Sequence, residues 1–275
     1  MNIREILKKH GFHYKKSLGQ NFITDSNLLA SIVNDSKTQK NDTVLEIGAG
    51  AGTLTRALSA KANRVVSFEK DKSLEPVLNE ILKDCENTQI FFQDIKKVSD
   101  EALQGMLGDG FKVVANLPYY ITTPLIMRFL ESEILQPKSL TFMAQKEVAK
   151  RLTAEVGSPD YSAITLAVKL RGSAQITRFV DKKLFFPAPK VDSAVIHIEV
   201  QPNSLSKNPT VLKLIRTAFS MRRKTLLNNL INGISMSRED ALKALKKAGL
   251  SEHVRGEELS LEQFVILSDI INKYL

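Results

Sequence analysis

The sequence predicts an α/β fold in which a mostly parallel sheet carries helices on both faces and is followed by a small all-helical domain. Three observations lead there. Apolar runs of strand length alternate with helical patterns up to about residue 200, the alternation that builds parallel sheets. The first strong run, Thr43-Val44-Leu45, passes through a glycine-rich turn, Gly48-Ala49-Gly50-Ala51-Gly52, straight into a helical pattern. Beyond a polar stretch at 201–209 only helical periodicity is left.

Taken in order, strands are predicted at 43–46, 64–68, 89–92, 112–115, 139–144, 174–179 and 194–200. Helical patterns fill 53–58, 73–84 and 124–132, and 96–106 can be helical with Asp94 as its N-cap. After the polar linker, 211–231, 237–248 and 261–274 carry apolar residues at helical spacing. Ser237-x-x-Asp240 and Ser260-x-x-Gln263 read as helix starts, and Gly233 and Gly249 as stops. The expected domains are therefore 1–202 and a basic helical domain at 203–275.

A chain of 275 residues that is 43% hydrophobic can bury a large core. No apolar run is long enough to cross a bilayer, and the N-terminal stretch lacks the apolar centre of a signal peptide, so a cytoplasmic location without membrane contact is expected. Cys85 is the only cysteine, and His10, His13, His197 and His253 show no ligand spacing, so neither a disulfide nor a metal site is expected. The net charge of +9 points to a polyanionic partner because it is clustered. Lys8, Lys9, His10, His13, Lys15 and Lys16 lie in the N-terminal arm, Arg216, Arg222, Arg223 and Lys224 on one later segment, and Lys243, Lys246 and Lys247 on another. Each neutralised phosphate steepens the salt dependence by about 0.7 to 0.9 logarithmic units. A monomer is the default assembly state.

The glycine turn has a chemical meaning. Glycines allow a sharp bend and close backbone approach, and the amides of the following helix face whatever binds. Glu69 closes the next strand at the distance where an acidic side chain meets ribose hydroxyls, about 20 residues on. The alternating glycines at 48, 50 and 52 do not have the Gly-x-Gly-x-x-Gly spacing of a dinucleotide fingerprint, which makes NAD the weaker candidate. With Glu46 before them they resemble motif I of S-adenosylmethionine-dependent methyltransferases. Asn116-Leu117-Pro118-Tyr119 resembles the motif of those that methylate exocyclic amino groups. Glu46, Glu69, Asp94 and Asn116 each fall at a predicted strand end, so all four should line one crevice.

Five segments narrow the resemblance: Leu18-Gly19-Gln20-Asn21-Phe22, Glu46-Ile47-Gly48-Ala49-Gly50, Asn116-Leu117-Pro118-Tyr119, Phe185-Phe186-Pro187-Ala188-Pro189-Lys190-Val191-Asp192-Ser193 and Phe219-Ser220-Met221-Arg222-Arg223-Lys224-Thr225-Leu226. Together they are similar to the ribosomal RNA adenine N6-dimethyltransferase family over nearly the whole chain. The small-subunit (16S) branch is favoured over the erythromycin-resistance branch by the Arg-Arg-Lys-Thr-Leu segment and the Asn-Leu-Pro-Tyr form. Met221, Ala49 and Ile23 depart from the common glutamine, proline and leucine. The resemblance implies a Rossmann-like class I methyltransferase domain, S-adenosyl-L-methionine as cofactor, and small-subunit rRNA in a pre-30S particle as partner. It implies that Gln20, Asn21 and Ile23 cover the cofactor, that Glu46, Gly48 and Gly50 form its turn with Gly48 under the methionine part, and that Glu69 with Lys70 meets the ribose. Asp94 would accept from the adenine amino group, Ile95 would pack on its ring, and Asn116 would border both substrates. Asn116, Leu117, Pro118, Tyr119 and Phe185 would be catalytic, and Arg216, Arg222, Arg223 and Lys224 would hold RNA.

The chemistry is legible in the residue types. An exocyclic amine is a poor nucleophile because its lone pair is delocalised into the ring. The Asn116 side-chain oxygen and the Leu117 or Pro118 carbonyl can each accept a hydrogen from it and turn that lone pair toward a methyl donor. Tyr119 can stack on an extruded base and Phe185 on its other face, while one of Phe185 and Phe186 is expected in the core. Three other readings share parts of this pattern: a DNA adenine methyltransferase, a large-subunit rRNA dimethyltransferase of the macrolide-resistance type, and a non-enzymatic ribosome assembly factor.

Overall fold

The structure, a computed structural model, describes residues 2–201, 209–221 and 223–273. They fall into two compact units, Met1–Ala149 with Ala174–Val200, and Lys150–Ser173 with Gln201–Leu275. In the first unit the chain runs through α1 (Ile3–Lys9), β1 (Phe22–Ile23), α2 (Ser26–Asp35), β2 (Thr43–Ile47), α3 (Thr53–Ser59), β3 (Arg64–Phe68), α4 (Glu75–Ile81) and β4 (Thr88–Phe91). It continues through α5 (Asp100–Leu107), β5 (Lys112–Asn116), α6 (Thr122–Glu131), β6 (Ser139–Gln145) and α7 (Lys146–Leu152), which crosses the boundary. After the excursion it returns with β7 (Gly172–Val180), β8 (Phe185–Phe186) and β9 (Ser193–Val200).

Seven strands form one sheet in the order β4-β3-β2-β5-β6-β9-β7. The five from β2 to β6 are parallel, and β9 joins β6 antiparallel. Parallel strands covered on both faces read as continuous apolar runs, and β2, β3 and β6 are buried almost throughout. Leu28, Ile32, Leu54 and Leu58 of α2 and α3 pack with Val44, Val65 and Val114. A separate cluster joins Ile3 and Leu7 of α1 to Phe22 and to Val77, Leu78 and Ile81 of α4. Strand order reverses between β2 and β5, where open α/β sheets bind ligands. A second, two-stranded sheet pairs β1 with β8 antiparallel, Phe22 opposite Phe186 and Ile23 opposite Phe185. Among the described residues no helix is long and apolar enough to cross a membrane.

The second unit contains α8 (Ala163–Arg171), α9 (Pro209–Ser220), α10 (Leu226–Ile234), α11 (Arg238–Lys247) and α12 (Leu261–Ile271). Residues 150–173, expected in the first domain, group here because Leu166 and Leu170 share a core with Leu214, Leu230 and Phe264, and the Tyr161 hydroxyl donates to Leu259 O at 3.0 Å. The helix expected over 211–231 is two helices. Thr225 starts the second by capping Asn228 N, and Gly233 lies inside it; the stop is Ser235, at φ 61°. Gly249, at φ 69°, follows α11 as expected. Ser237 and Ser260 cap Asp240 N and Gln263 N. Asp94 caps only the short turn Ile95–Lys97, while Ser99 caps α5. Most of the expected linker (202–208), Arg222 and Tyr274 lie outside the described residues.

Candidate active site

The C-terminal ends of β2, β3 and β5, the loop after β4, and residues 18–22 enclose a cleft of about 840 Å³ counting its open mouth. Of the candidates, Gln20, Asn21, Gly48, Gly50, Glu69, Lys70, Asp94, Ile95, Asn116, Leu117, Pro118, Tyr119 and Phe185 line it. Ile23 and Glu46 do not.

The glycine turn makes its floor. At Gly48, φ 82°, a Cβ would have Asn116 O, 3.9 Å away, as its only close neighbour, so a side chain there would fill the cradle. At Gly50, φ 55°, a Cβ would meet the Phe22 ring at 3.0 and 3.1 Å. Glycine is needed at 48 to keep the floor open and at 50 to let the arm close on it.

The two glutamates behave oppositely. Glu69 stands one residue past β3, is 7% exposed, and accepts from Gly50 N at 2.8 Å and Asp71 N at 2.7 Å. A buried carboxylate with acceptor capacity left beyond these bonds fits vicinal ribose hydroxyls. Burial raises its pKa, with backbone bonds from Asp71, Gly50 and Lys70 opposing. Glu46 sits inside β2 rather than at its end and is fully buried, its Oε2 accepting from Thr55 Oγ1 at 2.6 Å and Ser67 Oγ at 2.7 Å. It is no cofactor ligand but a strut behind the glycine turn, and burial pushes its carboxyl up to about 7. Ile23, 2% exposed, is likewise core.

Asp94 accepts from Lys96 N at 3.0 Å and pairs with Lys70 Nζ at 3.2 Å. Partial burial pulls its carboxyl upward, but these bonds outweigh it and hold the group below its ordinary value. An ionised carboxylate only accepts, which suits an amino group.

Asn116 ends β5 and donates through Nδ2 to Asn21 O at 3.0 Å. A carbonyl oxygen cannot donate, so the amide is fixed with Oδ1 turned the other way. Pro118 O already accepts from Ile121 N at 3.1 Å and Thr122 Oγ1 at 3.2 Å. Leu117 O has no such partner among the described residues, so of the two carbonyls it is the one left open to accept. Tyr119, half-buried, is anchored by its hydroxyl to Ser193 Oγ at 2.8 Å, and burial raises its pKa so that it stays protonated. Phe185 is 3% exposed and packs in the core while reaching the cleft wall; Phe186 is half-buried under the Arg4 guanidinium, 4.1 Å from its ring centre. The core role thus falls to Phe185, the residue expected on the base.

Both ends of the Gln20 amide are engaged by protein, Nε2 donating to Asp71 Oδ2 at 2.7 Å and Oε1 accepting from Lys15 N at 2.8 Å. Asp71 was not among the expected site residues and Lys15 was expected only in the basic N-terminal run; the one signal was Asp71 standing two residues after Glu69. Arg216, Arg223 and Lys224 are exposed in the second unit, on α9 and the turn after it. Among the described residues no group of His, Cys, Asp or Glu is placed to hold a metal ion.

The sequence model described as "Ribosomal RNA adenine dimethylase" matches residues 11–273. The Ribosomal RNA small subunit methyltransferase A of Clostridioides difficile is 40% identical over 98% of this chain and 94% of its own. A solved dimethyladenosine transferase from Plasmodium falciparum superposes with a TM-score of 0.79 at 26% identity, over 92% of this chain and 98% of that one. The 23S rRNA methyltransferase ErmE gives 0.70 at 25% identity, over 91% and 99%. A seven-stranded methyltransferase sheet, a glycine turn backed by Glu69 and an Asn-Leu-Pro-Tyr motif in one cleft agree with these matches, and the chain belongs to the ribosomal RNA adenine dimethylase family.

Proposed function

We propose that the chain dimethylates N6 of two adjacent adenosines in the 3′-terminal hairpin of 16S ribosomal RNA, acting as a cytoplasmic monomer on a pre-30S particle. The observation that carries the reaction is the orientation of Asn116, nitrogen bound to the arm and oxygen released, beside an unengaged Leu117 O. The small-subunit target is supported by the small-subunit methyltransferases of Clostridioides difficile and Clostridium acetobutylicum, 40% and 42% identical over 98% of this chain. S-adenosyl-L-methionine is the cofactor, and when bound it supplies a sulfonium methyl already activated for transfer. Glu69 would hold its ribose hydroxyls, Asp94 its adenine amino group, Ile95 the ring, and Gly48 the space under the methionine part.

This chain's residues then have two tasks. Asn116 Oδ1 and Leu117 O accept from the target amine, favouring a pyramidal nitrogen whose lone pair leaves the ring. Tyr119, fixed at its hydroxyl, offers a face to the extruded base. Stacking is worth about 1 to 3 kcal/mol per base, comparable to the few kcal/mol that flipping requires. Arg216, Arg223 and Lys224 would position the RNA through phosphates without reading its sequence; Arg222, outside the described residues, belongs to the same basic run.

The test is methyl transfer from labelled cofactor to small subunits lacking adenine dimethylation, with large subunits and duplex DNA alongside, followed by mapping of the modified bases. Dimethyladenosine confined to the small-subunit hairpin is expected. Label in large-subunit RNA or DNA would overturn the target, and cofactor binding without any transfer would leave a binding factor.

A further inference from the structure

Residues 15–21 are held at two ends. At one end Lys15 Nζ donates to Asp71 Oδ1 at 2.5 Å, Gln20 Nε2 donates to Asp71 Oδ2 at 2.7 Å, and Gln20 Oε1 accepts from Lys15 N at 2.8 Å. At the other end Asn21 O receives the Asn116 amide. Between them Leu18, Gly19, Gln20 and Asn21 form one wall of the cleft. Asp71 is 3% exposed, and its own N–H donates to Glu69 Oε1. One buried aspartate therefore touches the carboxylate assigned to the ribose through its backbone and the arm that orients Asn116 through its side chain.

We propose that Lys15, Gln20 and Asp71 form a latch that positions Asn116. This rests on the methyltransferase reading of the cleft. With the latch shut, Asn21 O sits where it fixes the Asn116 amide with Oδ1 turned to the target amine; with it open, that amide is free to turn over and present a donor where an acceptor is needed. Gln20 is thereby a positioning residue rather than a cofactor ligand. The pairing is charge-assisted, with the Asp71 carboxylate buried and the Lys15 side chain half exposed. Burial pulls the Asp71 carboxyl upward, but the bonds from Lys15, Ser73 and Gln20 outweigh it and hold it below its ordinary value. Lys15 does not line the cleft but belongs to the basic N-terminal run, so a lost phosphate contact would raise KM for RNA, whereas a lost latch lowers kcat.

The experiment compares Lys15→Met, Gln20→Met, Asp71→Asn and the Lys15→Met/Asp71→Asn double variant in the full chain. Each single variant is expected to lower kcat about tenfold, the effect of losing one charge-assisted bond, with KM for small-subunit RNA unchanged and KM for the cofactor raised. The double variant is expected to match the worse single, because the two residues act as one unit. Trypsin cleavage after Lys16 is expected to accelerate about tenfold in Asp71→Asn, since cleavage follows the population of the open form. Wild-type kcat in Lys15→Met, losses that multiply in the double variant, or equal trypsin rates in wild type and Asp71→Asn would each overturn the latch. The proteolysis needs no RNA, so it judges the latch even where absence of methyl transfer in the wild type sinks the functional reading.

Discussion

Glu46 provides a titration that the fold should display. Its Oε1 is buried without a hydrogen-bond partner among the described residues, and its Oε2 has only two neutral hydroxyls, so nothing cationic offsets the charge. Burial, followed by smaller opposing bonds from Thr55 and Ser67, raises the pKa from 4.5 to about 7. At about 1.4 kcal/mol per unit the rise is worth about 3 kcal/mol. The sign follows from proton uptake: between these pKa values the folded state binds more protons than the unfolded one, so stability falls as pH rises and the full penalty is present above about 7. Glu46→Gln keeps an oxygen for Thr55 and Ser67 and cannot ionise. The difference in unfolding free energy between variant and wild type should therefore move by about 2 to 3 kcal/mol in the variant's favour from pH 5 to pH 8. Urea unfolding followed by far-ultraviolet circular dichroism at several pH values in that range reads this difference, since every other titrating group is common to both proteins. A constant offset across the range would refute the reasoning. Because Glu46 does not line the cleft, cofactor affinity should stay within about twofold in the same variant.

Asn116→Ala should abolish methyl transfer while leaving cofactor affinity nearly intact, whereas Glu69→Ala should weaken cofactor binding about tenfold or more; equal losses of binding in the two, by calorimetry, would sink the division of roles. Gly50→Ala forces a Cβ against the Phe22 ring at a positive φ, and should lower stability by about 1 to 2 kcal/mol and raise KM for the cofactor. Thermal unfolding and initial rates would show both effects, and a fully active, equally stable variant would contradict the close approach. Replacing Arg223 and Lys224 together by alanine should reduce the slope of logarithmic RNA affinity against logarithmic salt by about 1.4 to 1.8, measured by filter binding; an unchanged slope would remove these residues from the phosphate contacts.

The parallel sheet was legible because both of its faces are covered, which leaves near-continuous apolar strands such as Val44-Leu45 and Val65-Val66. Serine caps at 237 and 260 were legible because capping is local chemistry between residues three apart. What stayed hidden depends on distant partners. α1 is seven residues with two buried anchors, Ile3 and Leu7, too short to declare itself without the α4 surface it packs on. β1 and β8 are two residues each and exist only through one another. Residues 150–173 give no compositional break; only Leu166, Leu170 and Tyr161 meeting the later helices show where they belong.

The site was misread where the argument from strand ends ignored register. Glu46 and Glu69 both stand near the end of an apolar run, and both were expected in the crevice. In the sheet Glu46 pairs with Ser67 and Ile47 with Phe68, so Glu69 is level with Gly48 and Glu46 lies two residues deeper. Two residues is about 7 Å along a strand, the difference between a carboxylate that reaches a ligand and one sealed beneath the turn that holds it. Asn116 sits at the last position of β5, opposite Met143 of β6, and its amide reaches the arm while Glu46 reaches only Thr55 and Ser67. Depth along the strand, more than residue type, thus separates ligand from strut, and the unchanged cofactor affinity expected of Glu46→Gln beside the loss expected of Glu69→Ala tests that separation directly.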